Sequence, residues 1–340
     1  MSETAEPSLI AKKEGVAGTL LMNRPKALNA LTLGMIREFA EAIDAWRNDA
    51  AVRLVVLEGA GGRAFCAGGD VRAVRAAALA GDRAAVEAFF SEEYAVNTGI
   101  ATFPKPWVSL IDGVCMGGGI GVAAHKGPQV VTEHALVAMP ETAIALFPDV
   151  GTSYLLPRLP GAVGTWLALT GARLTGADAV HAGLATHFVP REKLQDLRAA
   201  LVADGVGAVD RFAATPPEAS FAPHREAIDR CFGKADMPGI LAALDAEGTE
   251  WATGQAKILR RMSPTSLCVS LELLQRGAKQ DLAGCLAAEL ALTRVVVNEH
   301  PDFVEGVRSV LVDKDGAPKW QPARIEDVDP AAIGRMFGGR

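Results

Sequence analysis

Cysteine is sparse and scattered in this chain. Its five, Cys66, Cys115, Cys231, Cys268 and Cys285, form no Cys-x-x-Cys pair and no Cys/His cluster. That excludes a zinc signature and a disulfide framework, and it fits reduced intracellular thiols. Long apolar runs are missing too. None approaches the ~20 residues that cross a bilayer, so no membrane partner is expected. Positive charge is in short supply. The net charge is −6, and no dense Lys/Arg stripe exists to displace the counterions of a nucleic acid. The N-terminal stretch MSETAEPSLIAKKEGVAG has neither the apolar core of a secretory signal nor the Arg-rich character of a mitochondrial transit segment. A cytoplasmic protein is therefore expected.

Several catalytic signatures are absent as well. No Gly-x-Ser-x-Gly elbow supports a common serine hydrolase. No Gly-Lys-Ser/Thr follows a glycine loop, and the Gly-x-Gly-x-x-Gly spacing of a dinucleotide site does not occur. His125, His134, His181 and His187 are isolated and carry no expected role. Cys115 lies in an apolar run without an activating base, so packing is its expected role.

What is present is a large stock of core residues. The chain has 340 residues, 49% of them apolar and 22% charged, enough for one large domain plus an appended region. Residues 8–22 read as a hairpin turning at Lys-Lys-Glu-Gly. From Thr32 onward Met35, Ile36, Phe39, Ala40, Ile43 and Trp46 recur at helical spacing. VRLVVLEGAG, WVSLIDGV and HALVAMP read as buried strands, alternating with helices to about residue 190. This is an α/β pattern with largely parallel strands. The division expected is a core over 1–205, a Gly/Ala/Pro-rich linker over 206–225, and a helical region over 226–340. In the last, Ser263-Pro264 starts a helix that closes at Gly277.

Two glycine turns follow strands and open helices: Ala67-Gly68-Gly69-Asp70 and Gly117-Gly118-Gly119. Free peptide N–H groups there attract negative charge, and glycine admits a ligand close to the backbone. Each also fits a plain tight turn, with Asp70 as a helix cap. Two such turns could aim two N–H donors at one oxygen. Glu141 and Asp149 each follow a proline in the apolar stretch VAMPETAIALFPDVG. Acids seldom sit in such a stretch without a partner or a task, though two solvated loop acids remain the alternative.

These residues carry a resemblance. NRPKALNAL, AFCAGGDVR and DGVCMGGGIG are similar, in order and spacing, to segments of the enoyl-CoA hydratase/isomerase (crotonase) superfamily. AGGDVR, EEYAVN, MPETAIALFPDVG, LPRLPG, SPTSL and EGVRSVLVDKDGAPKW resemble its thioester-hydrolase branch and cover nearly the whole chain. The resemblance implies a spiral of ββα units with an appended C-terminal helical region. It implies an acyl-CoA substrate, no cofactor, no metal, and a possible homo-oligomer. The N–H groups of Gly69 and Gly118 would form an oxyanion hole. Glu141 and Asp149 would be catalytic, and Glu93 would contact substrate beside Gly118, Glu141 and Asp149. Lys26, Ala67, Gly68 and Asp70 are weaker candidates for contacting coenzyme A.

Hydratases of the superfamily use two glutamates. The first position falls on Gly121 here, and Asp149 stands where hydratases usually have glycine. The expected reaction is therefore hydrolysis of a 3-hydroxyacyl-CoA thioester, with 3-hydroxyisobutyryl-CoA of valine breakdown as the expected substrate. The alternatives are an enoyl-CoA hydratase or isomerase, and a non-catalytic CoA-binding protein. The chain also departs from the pattern. Gly-Thr-Ser-Tyr follows the Asp149 turn where relatives have more glycine, and the helix at 286–298 reads as short of the expected polar and aromatic groups.

Overall fold

The computed structural model describes residues 7–338. They fall into two compact units. The first gathers the described residues through Gly69, with Ala95–Val137 and Leu174–Ala219. The second gathers Asp70–Tyr94, Ala138–Arg173 and the described residues from Ser220 onward.

The first unit is built on a six-stranded sheet. Its spatial order is Leu9–Glu14, Ala17–Met22, Leu54–Gly59, Trp107–Ile111, Gln129–Val131 and His187–Phe188. Only the first pair is antiparallel; every later neighbour is parallel. Strands covered on both faces need continuous apolar runs, and Leu54 to Leu57 are all at most 1% exposed. Leu54, Val56, Val108, Leu110 and Val130 alternate onto one face, where Leu194, Leu197 and Leu201 cover them. A smaller sheet orders Ala64–Cys66, Val114–Met116, Leu136–Ala138 and Leu174–Thr175.

The opening hairpin differs from its expected form. The strand continues through Lys12, Lys13 and Glu14, and the turn is Gly15-Val16, with Glu14 opposite Ala17. Gly15 takes φ +53°, the left-handed region that a two-residue hairpin loop demands. Lysines on an edge strand are stable because their charges stay in water and discourage further pairing. The expected linker is also not bare. Val206–Ala208 and Val209–Phe212 are helical turns, Ala208 and Val209 join the core, and Ala214 N donates to Phe188 O at 2.8 Å.

The second unit is mainly helical. Its later part runs through Arg225–Phe232, Met237–Glu247, Glu250–Leu259, Pro264–Gly277, Leu282–Asn298, Pro301–Val307 and Pro330–Met336. Side-chain caps start most of them: Asp236, Thr249, Ser263, Asp281 and Asp329 each accept a backbone N–H of the first turn. Among the described residues no helix is long and apolar enough to cross a membrane.

Candidate active site

In the first unit the two glycine turns pack on each other. Gly68 has φ +102° and Gly117 has φ +49°, so both need glycine. A Cβ on Gly68 would lie 3.2 Å from Met116 O and 3.7 Å from Gly118 N. A Cβ on Gly119 would meet Cys66 O at 2.4 Å. The fit leaves no room for side chains. Neither Gly69 N nor Gly118 N has a backbone acceptor among the described residues. The sequence thus builds two neighbouring peptide donors that the fold itself does not use.

The weaker candidates are placed as follows. Ala67 N donates to Leu28 O at 3.0 Å, which ties its turn to the loop after Lys26. Lys26 is exposed on the short helical turn Pro25–Ala27. In the second unit Asp70 caps the helix Val71–Leu79, accepting from Ala73 N at 3.4 Å. Cys115 is buried, and burial, then the neighbouring Cys66, push its thiol well up, which suits packing.

The second unit gathers the acids. Glu93 on the helix Arg83–Ala101, Glu141 at the start of the turn Glu141–Ile144, and Asp149 are 3%, 6% and 4% exposed. Burial costs the charged form of an acid unless it is hydrogen-bonded. Glu93 Oε1 and Glu141 Oε2 have no partner among the described residues. Both carboxyls are pushed well above the usual range, first by burial and then by the charge of Asp149. Asp149 differs: Tyr94 Oη donates to its Oδ2 at 2.7 Å. Burial still raises it to about 6, and the Tyr94 bond holds it from going higher. Among these acids Asp149 is the one whose carboxylate receives a side-chain hydrogen bond. No trio of His, Cys, Asp or Glu side chains among the described residues is arranged to hold a metal ion.

The backbone fixes both acids. Leu146 N donates to Glu141 O at 3.0 Å, while Leu146 O accepts from Ser266 Oγ. Thr142 Oγ1 donates to Leu169 O at 3.2 Å. Asp149 O accepts from Thr152 N at 2.9 Å and from Thr152 Oγ1 at 2.7 Å. Between them Val150 has φ +51° and Gly151 φ +80°. A left-handed β-branched residue costs on the order of 1–3 kcal/mol and persists only where its surroundings enforce it.

Two residues beside Asp149 escaped the sequence reading. Tyr94 was visible only as part of EEYAVN, because its partner lies 55 residues away. Glu289 corrects the reading of the helix at 286–298: it is fully buried there and accepts from Gly151 N at 2.7 Å. A lone acid in LAAELALTRVVVN carried the same signal that exposed Glu141.

With this geometry in hand, similarity to known proteins defines the class. The family description "Enoyl-CoA hydratase/isomerase" matches residues 17–337, and the chain belongs to that family. Two relatives narrow the likeness. The chain is 43% identical to "3-hydroxyisobutyryl-CoA hydrolase, mitochondrial" of Rattus norvegicus, across 99% of this chain and 89% of that protein. It is 42% identical to the Homo sapiens protein of the same name, with the same coverage. Among solved structures, a carnitinyl-CoA dehydratase from Mycobacterium thermoresistibile matches with TM-score 0.93 and 43% identity, covering 97% of this chain and 96% of that one. An enoyl-CoA hydratase from Rhodobacter sphaeroides matches with TM-score 0.93 and 40% identity, covering 98% of each. The crotonase-type α/β fold expected from the sequence is thereby borne out.

Proposed function

We propose that the chain hydrolyses a 3-hydroxyacyl-CoA thioester, 3-hydroxyisobutyryl-CoA being the substrate that its similarity to the rat and human hydrolases supports. The observation that carries the reading is the buried pair Glu141 and Asp149, with Tyr94 bound to Asp149 and glycine at position 121. Adding water across an enoyl double bond in this superfamily takes two glutamates, and Gly121 has no side chain to serve as one. The dehydratase and hydratase titles of the two structural matches belong to those proteins.

Thioester hydrolysis has two requirements, an oxyanion hole and a group that attacks or activates water. The N–H groups of Gly69 and Gly118 would stabilise the oxyanion of the tetrahedral intermediate, and losing one such donor typically costs about 3 kcal/mol. Glu141 would act in one of two ways. Attack on the carbonyl carbon would expel CoA thiolate and leave a mixed anhydride for water to open. Removal of a proton from water would let hydroxide expel the same thiolate. Asp149 would orient the 3-hydroxyl of the acyl group and share proton transfer, and Glu93 would close the polar side of the pocket. Lys26, Ala67, Gly68 and Asp70 are kept as weaker coenzyme A contacts. Free thiols at all five cysteines support a reducing compartment and the cytoplasm. The word mitochondrial in the relatives' names describes those proteins. Valine breakdown is the pathway this substrate would serve.

One experiment separates the readings. Purified protein is given 3-hydroxyisobutyryl-CoA, with free thiol measured, and in parallel an enoyl-CoA, with loss of its absorbance measured. Thiol release is expected, together with a fall of about 10²–10⁴-fold in Glu141→Gln. Enoyl turnover without thiol release would establish the hydratase instead. Binding of acyl-CoA without either reaction would establish a binding protein.

A further inference from the structure

Glu289 has no place in the reaction just described, yet it is one of the most completely buried acids in the chain. It is 0% exposed, on the helix Leu282–Asn298. Its Oε2 accepts from Gly151 N at 2.7 Å. Its Oε1 accepts from Ser153 N at 3.2 Å and from Ser153 Oγ at 2.5 Å. These partners are two peptide N–H groups and a hydroxyl, not a cation. A buried acid without a counter-ion is costly, and a packed apolar side chain at such a helix position is usually more stable.

What the acid holds is the segment directly after Asp149. The carbonyl of Asp149 closes a tight turn on Thr152 N, and the turn passes through two left-handed residues, Val150 and Gly151. A β-branched residue resists that conformation, so something outside the turn must enforce it. Glu289 binds the turn at its second left-handed residue and again just past its end. The side chain of Asp149 leaves the backbone at the start of the same turn, where Tyr94 meets it at 2.7 Å.

We propose that Glu289 is a positioning residue: it clamps the strained Val150–Gly151 turn and so fixes the direction in which Asp149 presents its carboxyl group. The proposal rests on the reading that Asp149 takes part in acyl-CoA chemistry. The C-terminal helical region then has a second duty besides packing, because it carries the clamp. Glutamine cannot replace Glu289 fully. In either orientation its NH₂ faces a peptide N–H, of Gly151 or of Ser153, and at least one backbone bond is lost. Ser153→Ala is the milder lesion, since it removes the hydroxyl and leaves both peptide bonds to the acid.

The test compares wild type, Glu289→Gln, Ser153→Ala and Asp149→Asn in steady-state acyl-CoA turnover across pH, with circular dichroism and thermal melts beside it. Crystal structures of the first three complete it. Displacement of a catalytic group by an ångström can cost about 10²-fold, so Glu289→Gln is expected to lower kcat about 10- to 100-fold. KM should change by less than about threefold, because binding is not the lesion. Ser153→Ala should show the same pattern at about 3- to 10-fold. In both variants the acid limb of the pH profile should move, and the Tyr94–Asp149 hydrogen bond should be lengthened or lost in the crystal. A folded Glu289→Gln with kcat within about twofold of wild type and an unmoved acid limb would overturn the clamp. Should Glu289→Gln not fold, Ser153→Ala with a wild-type kcat and pH profile would overturn it equally. The parallel arms keep the two ideas apart. Loss of turnover in Asp149→Asn with full turnover in Glu289→Gln defeats the clamp alone. A wild type that releases no thiol defeats the hydrolase reading, and the clamp is then scored on whichever acyl-CoA reaction the chain performs.

Discussion

At the scale of single residues, Asp149 is pulled in opposite directions by its surroundings. Burial raises its carboxyl to about 6, and the hydroxyl of Tyr94 opposes that rise. Tyr94→Phe removes the hydroxyl and leaves the ring, which is itself 3% exposed. The ionised form of Asp149 loses its donor, so its pKa must rise above the value it has now. Catalysis that needs the carboxylate then loses rate at a higher pH than before. The acid limb of kcat/KM is expected near or above pH 6 in the wild type and further to the alkaline side in Tyr94→Phe, with kcat at pH 7 reduced about 10-fold. A pH–rate profile of the two proteins checks this; coincident acid limbs would remove Tyr94 from the control of Asp149. Glu141 and Asp149 were legible as candidates because acids stand out in apolar stretches, whereas Glu93 followed only from the resemblance carried by EEYAVN. Glu289 carried that mark too and was passed over. Tyr94 carried none, since a hydroxyl looks ordinary until the fold brings its partner to it.

At the scale of elements, local rules predicted well where a cap or a period decided the outcome. Thr32 caps the helix Leu33–Arg47, where Met35, Ile36, Phe39, Ile43 and Trp46 are buried as the spacing predicts, while Ala40 is exposed and Ala42 is buried in its stead. Ser263 and Pro264 start the helix Pro264–Gly277 as expected. The hairpin turn was misplaced because lysines look like loop residues, whereas here they lie on an edge strand. The Ser263 cap offers a quantitative check. Its hydroxyl accepts from Ser266 N at 3.2 Å and donates to Asp302 Oδ2 at 2.6 Å. Asp302 in turn accepts from Gln321 N at 2.8 Å. Ser263→Ala removes the cap and one partner of a buried acid together. A cap alone is worth ~1 kcal/mol, and a buried carboxylate left short of a partner adds to that. The expected loss is about 2–3 kcal/mol in a thermal or urea melt. A loss under about 0.5 kcal/mol would mean that solvent or another donor takes over the hydroxyl's role.

At the scale of the whole molecule, the sequence showed its classes of element but not how the chain distributes them. Each compact unit draws on separated stretches, and the strand His187–Phe188 pairs with Gln129–Val131 across more than fifty residues. No local propensity encodes such pairings. What the sequence did foreshadow is a molecule that keeps acids in its interior, and this has a consequence for its stability. Asp149 titrates at about 6 in the folded chain against an ordinary 3.8, and Glu289 at about 8 against 4.5, burial being the main cause in both. The unfolded chain therefore releases these protons at lower pH than the folded chain does. Their contribution to stability is complete below the unfolded values, near pH 4. It is lost as pH rises, through about 6 for Asp149 and about 8 for Glu289. Stability should accordingly decline between about pH 4 and pH 8. Asp149→Asn keeps an acceptor for Tyr94 and removes the ionisation. Its thermal midpoint should exceed that of the wild type at pH 8, by an amount equivalent to about 1–3 kcal/mol, and should match it near pH 3, below the unfolded value of 3.8. The comparison at two pH values is what gives the test its force. Better packing of the amide would raise the midpoint at both, whereas relief of a buried charge raises it only where the wild-type acid has lost its proton.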